Sequence, residues 1–164
     1  MSHTVTPIQA ASKPDFYRHF LAQWSAVLAD ERDWTCNLAQ GSALLMQSLP
    51  DLNWAGFYLL RDGDLVLGPF QGRVACTRIK VGRGVCGTAA QRRATVIVPN
   101  VHEFPGHIAC DSASNAEIVV PILAGERLVG VMDLDSPRLG RFDADDAQGL
   151  EAAVRILVAA SALP

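Results

Sequence analysis

The sequence has few charged residues, no long apolar run and no cysteine pair at metal-binding spacing, and each absence removes a class of function. Charged side chains make up 19% of the 164 residues and leave a formal net charge of −3. Lysine and arginine cluster no further than short pairs such as Arg92-Arg93, so the basic stripe that a nucleic-acid partner requires is missing. No apolar stretch reaches the eighteen or more residues of a membrane span. The opening MSHTVTPIQAASKP has neither the basic nor the apolar region of a secretory signal. A cytoplasmic protein without a membrane partner is the expectation. There is no GxxxxGK[ST] loop and no GxGxxG after a strand, so the GRG at 82–84 is not a phosphate cradle. Cys76, Cys86 and Cys110 have nine and then twenty-three residues between them. That spacing fits no Cys/His zinc pattern, and structural disulfides are rare in a reducing compartment. Buried or reactive thiols are what remain.

The other side of the composition is a folding one. Apolar residues reach 49%, enough for a globular core. With no repeat or low-complexity linker, residues 1–164 are expected to form a single domain behind a flexible segment at 1–13. Phe16, Phe20, Trp24, Val27 and Leu28 recur at helical spacing behind Pro14, predicting a helix over 14–28. A second helix is predicted over 30–49, with Trp34, Leu38, Leu45 and Leu49 on one stripe and Pro50 closing it. From Asn53 the period changes to two. NWAGFYLL and LVLGPF flank the turn RDGD as a hairpin, ACTRIKV (75–81) and TVIVP are further strands, and GRGVCGTAAQRR opens a short helix. After a loop over 100–116, EIVVPIL and RLVGVMDLD form a second hairpin around AGE. DADDAQGLEAAVRILVAASAL supplies an Asp cap and a last helix. The predicted class is α+β, an antiparallel sheet with the N- and C-terminal helices on one face and a ligand pocket on the other.

Strand alternation brings acids together. If the second hairpin turns at Gly125 and Glu126, Glu117 falls opposite Leu134, beside Asp133 and Asp135, and the two aspartates share a face. Three carboxylates at the end of a buried hairpin repel one another and lose hydration, so they need a metal, a bound ammonium or a shared proton unless the strand ends reach solvent. Buried Val129 and Val131 on the same face would favour the buried arrangement.

Among the thiols, Cys86 lies near a predicted helix N-terminus, where unpaired N–H groups lower a thiol pKa. A small residue between glycines would equally explain it. Cys110 has His107 three residues before it, in reach to stabilise a thiolate if the turn is tight. Cys76 and Cys36, each taken alone, read as small core residues. Trp54 reads as core or as a pocket wall.

These residues carry a resemblance. NWAGFYLL, GPFQGRVACTRI, VGRGVCGTA, VHEFPGHIACDSAS, EIVVPI and GVMDLDSP followed by RFDADD together resemble the free methionine-(R)-sulfoxide reductases, small stand-alone GAF-domain proteins. The likeness runs from about Leu38 through the last helix. It implies a thiol-dependent reduction of free methionine sulfoxide, through a cysteine sulfenic acid and a disulfide that an external dithiol such as thioredoxin recycles. It implies no metal and no organic cofactor, and a homodimer. By the same likeness Cys110 is the better candidate for the attacking thiolate and Cys76 for the resolving thiol. Cys86 carries a role too, and which of Cys86 and Cys110 attacks stays open. Trp54, Glu117, Asp133 and Asp135 map onto the family's pocket. Asn100 stands where an acid is expected and Ala116 where a serine is commoner; neither is a proposed catalytic group. The competing expectations are a ligand-binding regulatory GAF module, a thiol-based redox sensor or peroxidase, and a carboxylate-bound metal site.

Cys36 is tied to none of this, because only helical spacing speaks for it. Cys36→Ser is expected to leave steady-state turnover within about twofold, a change worth less than about 0.5 kcal/mol; a large loss would bring its helix into the site.

Overall fold

The structure is a computed structural model that describes residues 4–108 and 111–164. Two helices come first, α1 (Lys13–Leu28) and α2 (Trp34–Ser48). Ser12 caps α1 by accepting the Asp15 N–H, and Pro14 sits in its first turn. The second helix begins later than its apolar stripe predicts. Asp33 has extended backbone and accepts the Cys36 N–H at 2.7 Å, so the capping carboxylate sets the start. Residues 4–12 run back along α1, where Thr6 and Gln23 exchange two hydrogen bonds and Val5 and Ile8 pack against the core.

The sheet then forms from β1 (Trp54–Arg61), β2 (Asp64–Gly72) and β3 (Arg78–Lys80), followed by α3 (Gly84–Arg92) and β4 (Val96–Val98). A short 3-10 turn over Val101–Glu103 leads towards β5 (Ala116–Ala124) and β6 (Arg127–Ser136), and α4 (Ala144–Ala160) ends the fold. The strand order is β3-β2-β1-β6-β5-β4, antiparallel at every pairing. Both predicted hairpins are present, and the class is α+β as expected. The strand predicted over 75–81 shrinks to Arg78–Lys80, the only residues there that pair with β2 in register.

Alternation sorts side chains to two cores. Ala55, Phe57 and Leu59 of β1, Ile118 and Val120 of β5, and Met132 and Leu134 of β6 face Phe20, Trp24, Leu38, Leu45, Leu150 and Leu157 of α1, α2 and α4. Trp54 and Tyr58 of β1, Val119 and Val131 point the other way, towards α3.

The β5–β6 register departs from a regular hairpin. Leu123 pairs with Leu128, but the next pair is Ile122 with Gly130, so β6 carries one extra residue at Val129. That bulge shifts everything beyond it by one place. Glu117 therefore lies opposite Asp135, not Leu134. The bulge also turns Val129 to the helix-side core while Val131 stays on the α3 side; both are buried, on opposite faces.

At the helix layer, Asp146 of α4 is 1% exposed and accepts from Tyr17 at 2.8 Å, Lys13 at 2.5 Å and the buried Arg141 at 3.2 Å. Its carboxylate also completes a capping box with Asp143. Burial and the adjacent carboxylate drive the Tyr17 hydroxyl far above its ordinary range. Asp146→Ala would leave the Arg141 cation buried and unpaired, a loss of roughly 3–5 kcal/mol. Urea unfolding of the variant is expected to show that loss, and Asp146→Asn a smaller one.

Candidate active site

Sheet register fixes one row of residues on the α3 side: Gly72 of β2, Trp54 of β1, Asp135 of β6, Glu117 of β5 and Val98 of β4. The neighbouring row on the same face is Phe70, Gly56, Asp133, Val119 and Val96. Three carboxylates thus share a corner of the sheet with an indole. Trp54 lies flat between Phe70 and Tyr58, at ring-centroid distances of 5.2 and 6.0 Å, and its indole N–H donates to the Arg73 carbonyl. Glycine makes this possible at two points. A Cβ on Gly56 would sit 2.8 Å from the indole and 2.4 Å from the Phe70 Cβ, and one on Gly72, at φ +131°, would sit 2.6 Å from the indole.

The short helix α3 closes the site from above. A Cβ on Gly87 would come within 2.3 Å of the Lys80 carbonyl oxygen, so only glycine lets α3 rest on the end of β3. This seats Cys86, 4% exposed, with its Sγ 3.9 Å from Glu117 Oε1. The Tyr58 hydroxyl donates to the Cys76 carbonyl at 3.0 Å, tying the 73–77 segment to the floor. His107 places Nε2 3.6 Å from Glu117 Oε2. Asn53 donates to Asp111 and to Ser114, and the Ser114 hydroxyl in turn bonds Asp135.

Electrostatics here run against ionisation. Glu117 and Asp133 are each 6% exposed, and burial, followed by the charge of Asp135 on the first and of Glu117 on the second, holds both well above the usual carboxylate range. Asp135 is raised by burial and by Asp133. Glu117 and Asp133 stand together at this corner, where a proton on either carboxyl lets it donate to the other. Asp133 Oδ1 is buried with no partner. Burial lowers the His107 pKa, so its imidazole is neutral at pH 7 and supplies no counter-charge. Among the described residues no other basic side chain comes within ion-pairing distance of the three acids.

Cys86 corrects an expectation. Its place in the first turn of α3 predicts a lowered thiol pKa, but burial and then Asp133 and Glu117 push it well above the ordinary value. Two adjacent carboxylates and the loss of water outweigh a helix terminus. Cys110 lies outside the described residues. Cys76 is partly buried against the α3-side core and is disulfide-bonded. Cys36 is free and exposed on α2.

The chain resembles proteins of known family. The GAF domain family pattern matches residues 42–160. The free methionine-R-sulfoxide reductase of Escherichia coli is 52% identical over 139 residues, covering 85% of this chain and 84% of that protein. The chain belongs to the free methionine-R-sulfoxide reductase family. The free methionine-R-sulfoxide reductase of Neisseria meningitidis, solved in complex with its substrate, superposes with a TM-score of 0.92 at 45% identity, over 97% of this chain and 95% of that one. The Staphylococcus aureus family member, also solved with substrate, gives 0.85 at 43% identity over 95% and 99%. In the present chain, the sequence-predicted site residues Trp54, Cys86, Glu117, Asp133 and Asp135 all line one recess. Tyr58 and Ser114 line it too and escaped the sequence reading. The stacked spacing of Trp54 and Tyr58 along β1 was a usable signal for the first; nothing in the loop pattern marked the second. The two departures lie apart from the chemistry: Asn100 caps the 3-10 turn by accepting the His102 N–H, and Ala116 is buried in the helix-side core.

Raised folded-state carboxyl pKa values fix the sign of a pH effect. The native state holds protons that the unfolded chain releases near pH 4, so these acids oppose folding increasingly as pH rises above that range. Asp133→Asn is therefore expected to stabilise the protein, more at pH 8 than at pH 4.5. Urea midpoints across that interval check it, and a variant less stable at pH 8 would refute the burial of this charge.

Proposed function

We propose that this chain reduces free L-methionine-(R)-sulfoxide to methionine. The observation that carries the reading is a group of three carboxyls, two of them buried, with no Lys or Arg within ion-pairing distance among the described residues, beside the indole of Trp54. Such a corner suits a ligand that brings its own ammonium, and the indole face suits a methyl sulfoxide. A peptide-bound methionine lacks the ammonium, and a site built around a polar group rejects strongly the analogue that lacks it. The family membership and the substrate complexes of its relatives support the same choice of substrate.

The chemistry balances with thiols alone. A cysteine thiolate attacks the sulfoxide sulfur while the proton held between Glu117 and Asp133 passes to the departing oxygen. The oxygen ends on the cysteine as a sulfenic acid and methionine leaves with the electron pair. A second thiol condenses with the sulfenic acid, forming a disulfide and releasing water. An external dithiol, thioredoxin in type, restores both thiols by exchange. The resemblance gives the attack to Cys110 and the resolving step to Cys76; the raised pKa of Cys86 supports that order, and the disulfide-bonded state of Cys76 supports its role. No metal or organic cofactor enters these steps. The reducing cytoplasm is the compartment in which such recycling runs, and the family resemblance supports a homodimer.

Thioredoxin-coupled oxidation with free L-methionine-(R)-sulfoxide, set beside the N-acetylated form, tests the reading. Turnover is expected on the free form, with the acetylated form at least 10³-fold slower. Cys110→Ser is expected to abolish turnover, while Cys76→Ser keeps one stoichiometric release of methionine and loses recycling. No turnover on either substrate would favour a ligand-binding GAF module, and peroxide-driven turnover without sulfoxide would favour a redox sensor.

A further inference from the structure

One buried atom in the recess has no role in the resting protein. Asp133 Oδ1 is inaccessible to water and has no hydrogen-bond partner, a state that costs the group most of its desolvation energy. Around it, Cys86 Sγ, a Glu117 carboxylate oxygen and an Asp133 carboxylate oxygen all lie within 4.8 Å of one another, and all three residues are buried. We propose that Cys86, Glu117 and Asp133 form a binding site for a zinc-like divalent transition-metal ion, which occupies the recess and excludes the amino acid.

The donor set and its size choose the ion. A thiolate with two carboxylates is a borderline-soft set of three, the number that leaves a fourth position open on tetrahedral zinc. Calcium and magnesium want six or more oxygens and take no sulfur. Bonds of about 2.3 Å to sulfur and 2.0 Å to oxygen place tetrahedral donors about 3.5 Å apart. The Cys86–Glu117 separation of 3.9 Å is a few tenths of an ångström from that. Charge points the same way: a divalent cation offsets acidic side chains that have no Lys or Arg within ion-pairing distance among the described residues. The geometry also distinguishes the metal from the ammonium, since only the metal calls on Cys86 sulfur.

Metal binding stands apart from the functional reading, whereas the exclusion of the amino acid rests on it. Two arms separate them. Cobalt(II) is titrated into the reduced full-length chain under a non-chelating reductant, followed by thiolate-to-cobalt charge-transfer absorption, and zinc(II) is then used to displace it. One equivalent is expected to saturate the band. Cys86→Ser should abolish the band, Cys36→Ser should keep it, and Glu117→Gln should weaken cobalt binding at least tenfold. A band that survives Cys86→Ser, or no saturable binding below millimolar cobalt, overturns the site. In the second arm, L-methionine, which cannot oxidise the thiols, is added at ten times its own Kd and is expected to raise the apparent cobalt Kd about tenfold. A Cys86-dependent band that bound methionine leaves unmoved overturns the exclusion; failure of methionine to bind at all, read by calorimetry, overturns the substrate reading instead.

Discussion

Glu117, Asp133 and Asp135 are acids on one face of the sheet, two of them buried, and among the described residues no Lys or Arg comes within ion-pairing distance of them. Every other property of the corner follows from that conflict. It raises the pKa values of Glu117 and Asp133, lifts the neighbouring Cys86 thiol and leaves Asp133 Oδ1 unpaired. The two proposed ligands, a substrate ammonium and a divalent metal, would each bring the missing positive charge from outside. Stability is the quantity given up for this, since the acids oppose folding at neutral pH.

The corner is assembled by register more than by loops. Two adjacent rows across β1, β6 and β5 bring the indole and all three acids together, so rigid sheet backbone sets their spacing. Loops contribute the finer supports: Asn53, Asp111 and Ser114 form a chain of hydrogen bonds that reaches Asp135, and Tyr58 holds the segment bearing Cys76. The wall behind the ligand is equally constrained. Trp54 is stacked on both sides and seated over two glycines, so its plane is set before anything binds.

The alternation of apolar residues made the two hairpins, the helical layer and the convergence of the acids legible before any coordinates. The offset of one residue was not legible, because a bulge at Val129 lies in an unbroken apolar run, RLVGVM, where nothing polar marks the change of face. Period-two reasoning still placed the aspartates on one face because both lie beyond the bulge. The thiol of Cys86 went wrong for a different reason. Helix position is visible in a sequence, whereas burial and the approach of two acids from strands thirty and more positions away depend on tertiary packing. The early start drawn for α2 failed on a single side chain, the Asp33 carboxylate, which competes for the N–H that a longer helix would have used.

The docking of α1 on α4 carries a consequence for how the chain comes into being. Phe20 and Trp24 are made well before α4, which covers them and where the Trp24 indole N–H meets the Ala153 carbonyl. The strand that joins the two halves of the sheet, β6, is also made after every other strand of the sheet. An emerging chain therefore presents an uncovered aromatic face and an unpaired β1 edge to the ribosome's surroundings until β6 and α4 emerge. Closure waits for residues 127–160 to clear the exit. A chain that stops before residue 127 lacks both the helix that covers the core and the strand that carries Asp133 and Asp135, so it keeps its apolar face exposed and its acidic corner unbuilt.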